Sequence, residues 1–516
     1  MFDVIVIGGG GAGLCAALAA HDHGAKVMII SKTPLGKANC TAFGGGGFTF
    51  AGPGTPWQDH YERTYETGRR INDTELLETF SREALERVSS LERFGVKLRL
   101  HPRGASVAPW APNPTVGGMG LTLPLTLAVR NAGISVLEGQ MVYRILTDDR
   151  RVMGVCAIDM ATGRMTDYPA KAVILASGGG GRVFGRTNNP MRTTGDGYAL
   201  IQGLGLPLRD MEFVQFYPIG LAEPELPVWF IGLHVIDDAP LTDSRGTEFL
   251  KALLPQWGLQ SGREANLYAR DRAAIAIAQK WHQGDEVWLH LDQMPAEKWS
   301  EPYYHAIGRL NRAGCDFKSR PVRVKPLEHY MSGGLPIKTD GSTELEGFYA
   351  CGEVTGGIDG ANRIGGNAFA NITVFGLRAG EAAAEYCRGA ASVGGSANSC
   401  ALPEEVAAWS AQTVGPTPLE LIKELRLVMD TQVGPIRCED GLKGALEKIA
   451  DLQQRLATVR VSTSSELRDA LELRNMLRVC QMITNSALTR TESRGVHYRT
   501  DFPQEQADWQ KPIIIS

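Results

Sequence analysis

The first thirty residues alternate between strand and helix patterns. Residues 2–7 form an almost continuous apolar run, which is typical of a strand buried in a parallel sheet. Residues 14–21 have the small and apolar composition of a packed helix, and residues 26–30 return to a strand pattern. The order of these three segments predicts a β–α–β unit at the start of the chain.

The pattern changes several times further along the chain. Residues 61–100 have helical periodicity, and short strands with turns are expected from there to about residue 170. Residues 217–328 contain more Trp, Tyr and Pro, which indicates an inserted domain. Residues 391–403 are small and polar, as in a linker. Beyond them, Thr417-Pro418-Leu419-Glu420 is the start signal of a helix, and helical periodicity continues.

Glycine is concentrated where a chain would approach a ligand. The chain has 60 glycines in 516 residues, well above the average of about 7%. Gly8, Gly10 and Gly13 form a G-x-G-x-x-G motif between the first strand and the first helix. In such a turn the first glycine permits the tight bend, the second admits a pyrophosphate, and the third lets helix and strand pack closely. The motif in this context predicts dinucleotide binding at the helix N-terminus.

The residues at the end of the second strand indicate which dinucleotide is bound. Proteins that bind NAD commonly place Asp or Glu there to hold the adenosine ribose. This chain has Ser31-Lys32 instead. The lost acid weakens the nicotinamide interpretation and favours FAD.

Composition excludes several other classes. The formal charge is −4, without a like-charged run, which argues against nucleic-acid and membrane-surface partners. No apolar run reaches the roughly 18 residues of a spanning helix, and the N-terminus lacks the pattern of a signal peptide. The nine cysteines include no C-x-x-C pair, so we expect reduced thiols and no disulfide framework, iron–sulfur cluster, zinc or other metal site. We therefore expect a cytoplasmic protein.

Motifs from end to end of the chain resemble, in order, those of the flavoprotein family of succinate dehydrogenases, fumarate reductases and L-aspartate oxidases. The resemblance is carried by residues 6–14, 31–32, 176–179, 194–197, 212–218, 269–271, 329–334, 347–353, 360–363 and 492–501. It implies an α/β fold: a Rossmann-like FAD-binding domain of the glutathione-reductase type, an inserted α+β capping domain and a C-terminal helical domain. The expected boundaries are 1–216 and 329–390 for the FAD-binding domain, 217–328 for the capping domain, 391–403 for the linker and 404–516 for the helical domain.

The resemblance also implies site residues. Non-covalent FAD would be held by Gly8, Gly10, Gly11, Ala12, Gly13, Ser31, Lys32, Asn39, Cys40, Thr41, Gly46, Gly47, Ser177, Gly178, Asp196, Glu353, Arg363, Asn367, Ala368 and Phe369. The family transfers hydride between flavin N5 and a carbon beside a carboxylate. Arg363 and His329 match the residues that bind this carboxylate, and Arg270 matches the arginine that donates a proton.

The chain departs from the family pattern at three places. Cys40 stands where membrane-bound members carry a histidine that bonds covalently to the flavin. Tyr217 replaces a histidine, and Ile231-Gly232 replace a Thr-Glu pair, at positions that grip a second substrate carboxylate. Val235 stands where a proton-relay arginine is expected. A second buried carboxylate would lack compensating charge here, so a substrate with one carboxylate is favoured, and Tyr217 would orient its far end.

Three questions stay open on the sequence. His234, Asp237 and Asp238 form a replacement proton relay or are ordinary solvated loop residues. The reaction is that of a 2-enoate reductase or dehydrogenase, or of an amino-acid oxidase similar to L-aspartate oxidase, or the chain is an electron-transferring subunit of a larger complex. Expected partners are a small carboxylate substrate and an iron–sulfur or other electron-transfer subunit, with a soluble reductant or oxygen as the alternatives.

Overall fold

A computed structural model of the 516-residue chain describes residues 1–108, 117–148, 150–223, 229–301, 304, 307, 316–391 and 398–516. The strands are β1 (Phe2–Ile7), β2 (Val27–Ser31), β3 (Gly47–Thr49), β4 (Leu98–His101), β5 (Gly104–Val107), β6 (Ser135–Glu138), β7 (Gln140–Thr147), β8 (Val152–Asp159), β9 (Met165–Leu175), β10 (Leu208–Arg209), β11 (Val214–Leu221), β12 (Leu241–Asp243), β13 (Val287–Leu289), β14 (Val322–Met331), β15 (Phe348–Ala350), β16 (Asn398–Cys400) and β17 (Ile514–Ile515).

The α-helices of the described residues are α1 (Gly11–Asp22), α2 (Cys40–Phe43), α3 (Trp57–Thr67), α4 (Thr74–Ser89), α5 (Met119–Asn131), α6 (Asp196–Gly203), α7 (Phe249–Leu253), α8 (Gly262–Tyr268), α9 (Arg270–His282), α10 (Asn367–Gly389), α11 (Glu404–Ala411), α12 (Pro418–Gln432), α13 (Glu439–Leu456) and α14 (Ser464–Thr489). None of these helices combines the length and apolar content needed to cross a bilayer.

The largest sheet carries the predicted β–α–β unit. Its strands follow the order β6-β2-β1-β9-β8-β7, and β15 and β16 also pair with β9. β1 lies between β2 and β9 and is parallel to both, with Val4 opposite Val27 and Ile7 opposite Leu175. The apolar run of β1 is buried on both faces of the sheet from Val4 onward, which explains its lack of alternation. The predicted α/β class is confirmed.

A second sheet has its own apolar core. β11, β14, β13 and β12 pair in that order, all antiparallel, and side chains such as Ile219, Ile277 and Val322 are buried beneath them with α8 and α9. The region coincides with the expected capping domain. The expected boundaries at 216/217 and 328/329 fall inside β11 and β14, which pair with each other. The division into domains stays a prediction.

The chain after residue 404 is largely helical. The predicted capping box is present at the start of α12, where the Glu420 carboxylate accepts a hydrogen bond from the Thr417 amide at 2.7 Å. α14 has a second capping box, at Thr463. α14 packs against α6, so the C-terminal helices contact the first domain's cofactor region.

Two sequence expectations need correction. Residues 119–131 form a helix, not one of the expected short strands, because Leu121, Leu125 and Val129 are buried at helical spacing despite Pro124 within the segment. The expected linker contains a strand, since Asn398–Cys400 pairs with β9. The first part of that linker, residues 392–397, lies outside the described residues.

Candidate functional site

The glycines of the G-x-G-x-x-G turn have two different roles: two of them allow close packing, and one borders an open space. A Cβ atom at Gly8 would lie 2.2 Å from the Ala176 carbonyl oxygen, and one at Gly13 would lie 2.0 Å from the Gly8 oxygen. At Gly10 the nearest protein atoms would be 3.8 Å away, on Asn39. Protein packing therefore requires glycine at Gly8 and Gly13 but not at Gly10, where the space is left for a ligand.

A cavity of about 140 Å³ lies over this turn and over the start of α1. Gly10 precedes the helix without a side-chain cap, so helix amides are available to an anion. Two buried polar atoms at the cavity wall, Asn39 Nδ2 and Ser177 Oγ, have no hydrogen-bond partner within the described part of the chain. Such orphaned groups fit a polar ligand such as the phosphates and ribose of FAD.

Lys32 is fixed by acids from two distant segments. Its Nζ lies 2.6 Å from Asp196 Oδ2 and 2.9 Å from Glu472 Oε1, and Asn475 donates to Asp196 at 2.9 Å. Burial opposes the charged form, but the two carboxylates raise the pKa of Lys32 above its usual value. Glu472 and Asn475 belong to α14, and sequence reasoning missed both because nothing local links them to residue 32.

Cys40 begins the short helix α2 at the junction between two cavities. Its Sγ donates to Asn189 Oδ1 at 3.0 Å. Burial, followed by the charge of Glu353, raises the pKa of the Cys40 thiol well above its usual value. A protonated thiol is a poor nucleophile, which supports the prediction that FAD is held without a covalent bond.

A second cavity, of about 510 Å³, continues from the first. Cys40, Thr41, Glu353 and Ile372 line both, so the two form one groove. The four predicted substrate residues, Arg363 among them, lie together on the second cavity, and its wall adds three further predicted cofactor residues, Gly47, Ala368 and Phe369. The groove joins the expected nucleotide end of FAD to the expected reaction end.

Three predicted cofactor residues lie outside the wall of this groove. Gly13 packs on Gly8, and a Cβ at Gly46 would lie 2.8 Å from the Gly117 carbonyl carbon. The amide of Asn367 is fully buried and its Oδ1 lies 3.1 Å from His60 Nε2. These three residues shape the surrounding backbone, and their contact with FAD stays a prediction.

The two arginines of the second cavity are buried cations. Arg363 and Arg270 are 4% and 8% exposed. Arg363 Nη2 donates to Gln215 Oε1 at 3.1 Å and its guanidinium lies 4.0 Å from the centre of the Tyr330 ring. Neither arginine forms a salt bridge within the described ranges, and Arg363 Nε lacks a partner there. Burying such cations is costly without an anion, so the pair is suited to bind one.

Arg270 is held in place by its neighbours. Its Nε donates to the Asn266 carbonyl oxygen at 2.7 Å, and its guanidinium lies 4.8 Å from the centre of the Tyr217 ring. A Cβ atom at Gly365 would lie only 2.6 Å from Arg270 Nη2. Burial lowers the pKa of Arg270 to about 10, with a contribution from the charge of Arg363. This guanidinium is therefore a stronger acid than an ordinary arginine.

The buried ring of His329 favours its neutral form. Its Nδ1 lies 3.2 Å from Asn188 Oδ1, and an amide oxygen only accepts, so Nδ1 carries the proton. Burial and the charges of Arg363 and Arg270 lower the pKa of His329 well below its usual value. A carboxylate that binds at Nε2 requires protonation of the ring, so binding there would take up a proton.

The wall expected to face the far end of a substrate is aromatic and apolar. The Tyr217 hydroxyl donates to Asn266 Oδ1 at 2.5 Å and accepts from the Leu233 amide at 3.2 Å. Burial raises the pKa of Tyr217, which keeps the phenol neutral. The Phe230 ring centre lies 4.7 Å from that of Tyr217, and Ile231 is fully buried.

The loop that follows has structural roles for two of its acids. Asp237 accepts hydrogen bonds from the Gly262 and Arg263 amides at 2.6 and 3.0 Å and so caps α8. Asp238 accepts from the Tyr304 hydroxyl at 2.6 Å. His234 lines the second cavity, and burial lowers its pKa. Of the three side chains considered for a replacement relay, only His234 lies on the cavity wall.

Sequence reasoning missed several residues of this site. They are Asn188, which contacts His329, Asn266, which holds both Tyr217 and Arg270, Phe230, and Gly365. Asn266 precedes Arg270 by one helical turn, which is the spacing that could have indicated the contact. The partners of His329 and Tyr217 come from segments without such a signal.

Comparison with known proteins agrees with this geometry. Residues 3–369 match the model of an FAD binding domain, and residues 422–515 match that of the fumarate reductase flavoprotein C-terminus. An uncharacterized FAD-dependent oxidoreductase of Methanocaldococcus jannaschii is 32% identical over 99% of this chain and 96% of its own length. One subunit of the fumarate reductase (CoM/CoB) of Methanothermobacter marburgensis is also 32% identical, over 100% of this chain and 97% of its own length.

The solved structures include a variant of the FrdA chain of E. coli quinol fumarate reductase. It has 27% identity and a TM-score of 0.87, over 99% of this chain and 94% of that one. The predicted resemblance and the FAD cofactor are thereby confirmed. The chain belongs to the fumarate reductase and succinate dehydrogenase flavoprotein family, and it is an FAD-dependent oxidoreductase that acts on CH–CH bonds.

Proposed function

We propose that this protein is a 2-enoate reductase or dehydrogenase whose substrate has a single carboxylate. The observation that carries the proposal is the absence of charge at the positions expected to hold a second carboxylate. The cavity wall holds the buried cations Arg363 and Arg270, but Tyr217, against Arg270, is a neutral phenol, and Ile231 is a buried apolar side chain. FAD, when bound, supplies the exchange of hydride at flavin N5.

Arg363 would hold the substrate carboxylate. Its planar guanidinium presents parallel donors that suit a carboxylate, and it remains charged. The hydrogen bond to Gln215 and the face of Tyr330 fix the plane of the group before substrate arrives. His329 would complete the grip in its protonated form, which the incoming negative charge stabilises. Fixed cations at this place also stabilise charge that develops on the carboxylate as hydride reaches the neighbouring carbon.

Arg270 would exchange the proton at the second carbon. A general acid acts best when its pKa lies nearer the working pH, and burial brings the pKa of Arg270 down to about 10. The hydrogen bond to the Asn266 carbonyl and the Tyr217 ring leave the guanidinium few other orientations. These contacts support the assignment of Arg270 as the proton donor in reduction and the acceptor in dehydrogenation.

Tyr217 would position the far end of the substrate by contact with its ring. The Tyr217 hydroxyl already donates a hydrogen bond to Asn266, and its oxygen already accepts one from the Leu233 amide. Neither group is left to bind a second carboxylate. An apolar, unsaturated or neutral polar group fits this wall without the cost of burying an unpaired charge.

Electrons would come through a second protein. The proposed partner is an iron–sulfur or other electron-transfer subunit, in the cytoplasm. The sequence offers no C-x-x-C pair for a cluster of its own. Two of the relatives are themselves named as subunits of fumarate reductases, which supports a partner for this chain as well.

The proposal is tested by anaerobic turnover. The FAD-loaded protein is reduced with dithionite and mixed with a panel of 2-enoic monoacids. We expect the oxidised flavin absorbance to return while the acid is converted to its saturated form. Arg245→Met serves as control, because that arginine is 77% exposed in its side chain.

Two other outcomes would select the rival functions. Hydrogen peroxide on addition of amino acids in air would indicate an amino-acid oxidase similar to L-aspartate oxidase. Absence of turnover with every acid, together with stable co-purification of a ferredoxin-like protein, would indicate an electron-transferring subunit. Either result would overturn the proposed substrate class.

A further inference from the structure

The largest sheet gathers three metal-ligand side chains that are not among the residues lining the flavin groove. Cys156 lies on β8, Asp167 on β9 and Cys400 on β16. β9 separates the other two strands: Cys156 is opposite Asp167, and Cys400 is opposite Met165. Because facing residues of neighbouring strands project to the same side of a sheet, all three side chains meet on one face.

The distances suit a tetrahedral metal ion. Cys156 Sγ lies 3.4 Å from Cys400 Sγ, and Cys400 Sγ lies 3.5 Å from Asp167 Oδ1. All three ligand atoms lie within 4.8 Å of one another. In a tetrahedral zinc site, ligand bonds of about 2.3 Å to sulfur and 2.1 Å to oxygen place two sulfurs about 3.8 Å apart and a sulfur and an oxygen about 3.6 Å apart.

A disulfide is the alternative at the same place. Cys156 Sγ and Cys400 Sγ lie 3.4 Å apart and are not bonded to each other. A disulfide would use only the two sulfurs, whereas a metal ion also uses the Asp167 carboxylate, 3.5 Å from Cys400 Sγ.

We propose that Cys156, Asp167 and Cys400 bind a divalent zinc-class ion. Both thiols would lose a proton on binding, and the two thiolates and the carboxylate would hold the ion, with water in the fourth position. Asp167 and Cys400 are partly exposed, whereas Cys156 is fully buried, which gives the ion a path from solvent. The expectation of no metal site rested on the absence of C-x-x-C spacing, whereas these cysteines are 244 residues apart.

The site would fasten a connecting segment to the sheet. β16 is a three-residue strand in the segment that leads from α10 to the C-terminal helices. Its companion ligands lie on β8 and β9, which belong to the first part of the chain. A metal clip that closes so long a loop restricts the unfolded chain more than the folded one. The ion would therefore stabilise the attachment of the C-terminal helices.

Zinc stoichiometry tests the proposal directly. FAD-loaded protein, stripped of metal with a chelator under reducing conditions, is dialysed against ZnSO4 and its bound zinc measured by mass spectrometry. We expect one zinc per chain for the wild type and for Cys438→Ser, a partly buried cysteine outside the cluster. Cys156→Ser and Cys400→Ser should retain none. Asp167→Asn should lower the affinity for zinc by more than the roughly 10- to 100-fold that is lost when a residue hydrogen-bonded to a metal ligand is removed.

A second measurement guards against variants that fail to fold. Co²⁺ in place of zinc should give a thiolate-to-cobalt charge-transfer band in the wild type, read as a difference spectrum against the metal-free holoprotein. Zinc bound equally by the wild type and both cysteine variants would overturn the proposal. So would a wild type that binds no zinc, or one whose two thiols disappear together as a disulfide on exposure to air.

Discussion

Arg363 and Arg270 should fail in different ways when each is replaced by methionine. Methionine keeps much of the buried volume and removes the charge. Arg363 would contact the carboxylate in both the ground state and the transition state, so Arg363→Met should raise KM by a larger factor than it lowers kcat. Arg270 would act only in the chemical step, so Arg270→Met should lower kcat with little change in KM.

The structure sets the size of both effects. Arg363 is 4% exposed and forms no salt bridge in the described part of the chain. Loss of one member of a buried ion pair costs about 3–5 kcal/mol, which at 1.4 kcal/mol per factor of ten is roughly a 100- to 4,000-fold increase in KM. Loss of a positioned general acid lowers kcat by about 10²- to 10⁴-fold.

Stopped-flow measurement separates the two parameters. The reduced FAD-loaded protein is mixed anaerobically with a range of concentrations of a 2-enoic monoacid, and reoxidation of the flavin is followed by absorbance. Arg245→Met, which removes an exposed arginine, is the control in the same assay. If both buried-arginine variants change KM and kcat in the same proportion, the division of roles is wrong.

Three smaller predictions follow from single contacts. Because Cys40 stays a thiol, acid precipitation should release the flavin into the supernatant; flavin left on the denatured chain would contradict this. Gly365→Ala should displace Arg270 and lower kcat about 100-fold. Its melting temperature should stay near that of the control Gly203→Ala, in which the added Cβ meets open space. An unchanged kcat would refute the contact between Gly365 and Arg270. Burial raises the pKa of Glu328 to about 8, so the folded chain holds a proton that the unfolded chain releases. The free energy of unfolding should therefore fall between pH 7 and 9 by about 1.4 kcal/mol more in the wild type than in Glu328→Gln. Denaturant titrations that give the same pH dependence of this free energy for both proteins would refute the prediction.

The predictable parts of the structure are those encoded in local patterns. The β–α–β unit follows from one apolar run, one glycine motif and one small-residue helix, and the structure has it at those positions. The capping box at Thr417 is equally local. Helix α5 was missed because its threonines and Pro124 disfavour a helix by propensity, and only burial of Leu121, Leu125 and Val129 explains it.

The sequence predicted the main substrate residues of the site but not the residues that hold them in place. The family resemblance implied Arg270, His329, Arg363 and Tyr217, and these four line one cavity. Asn188, Asn266 and Phe230 reach them from other elements, and their contacts depend on how strands and loops fold together. The same holds for Glu472 beside Lys32. Long-range pairing leaves no trace in the spacing of a single sequence.

The central claim is that the substrate carries one carboxylate. A second carboxylate at the wall formed by Tyr217 and Phe230 would meet a neutral phenol whose hydroxyl already bonds to Asn266 and to the Leu233 amide, in place of the charged and donor groups expected there. Even half of the roughly 3–5 kcal/mol cost of such a charge weakens binding by one to two orders of magnitude.

The decisive measurement is therefore a matched titration of the oxidised FAD-loaded protein, followed by flavin absorbance. Fumarate is compared with crotonate, which has a methyl group in place of the second carboxylate. We predict a Kd for crotonate that is at least about 30-fold lower than that for fumarate. Fumarate binding as tightly as crotonate, or more tightly, would contradict the account and return an ordinary fumarate reductase to first place.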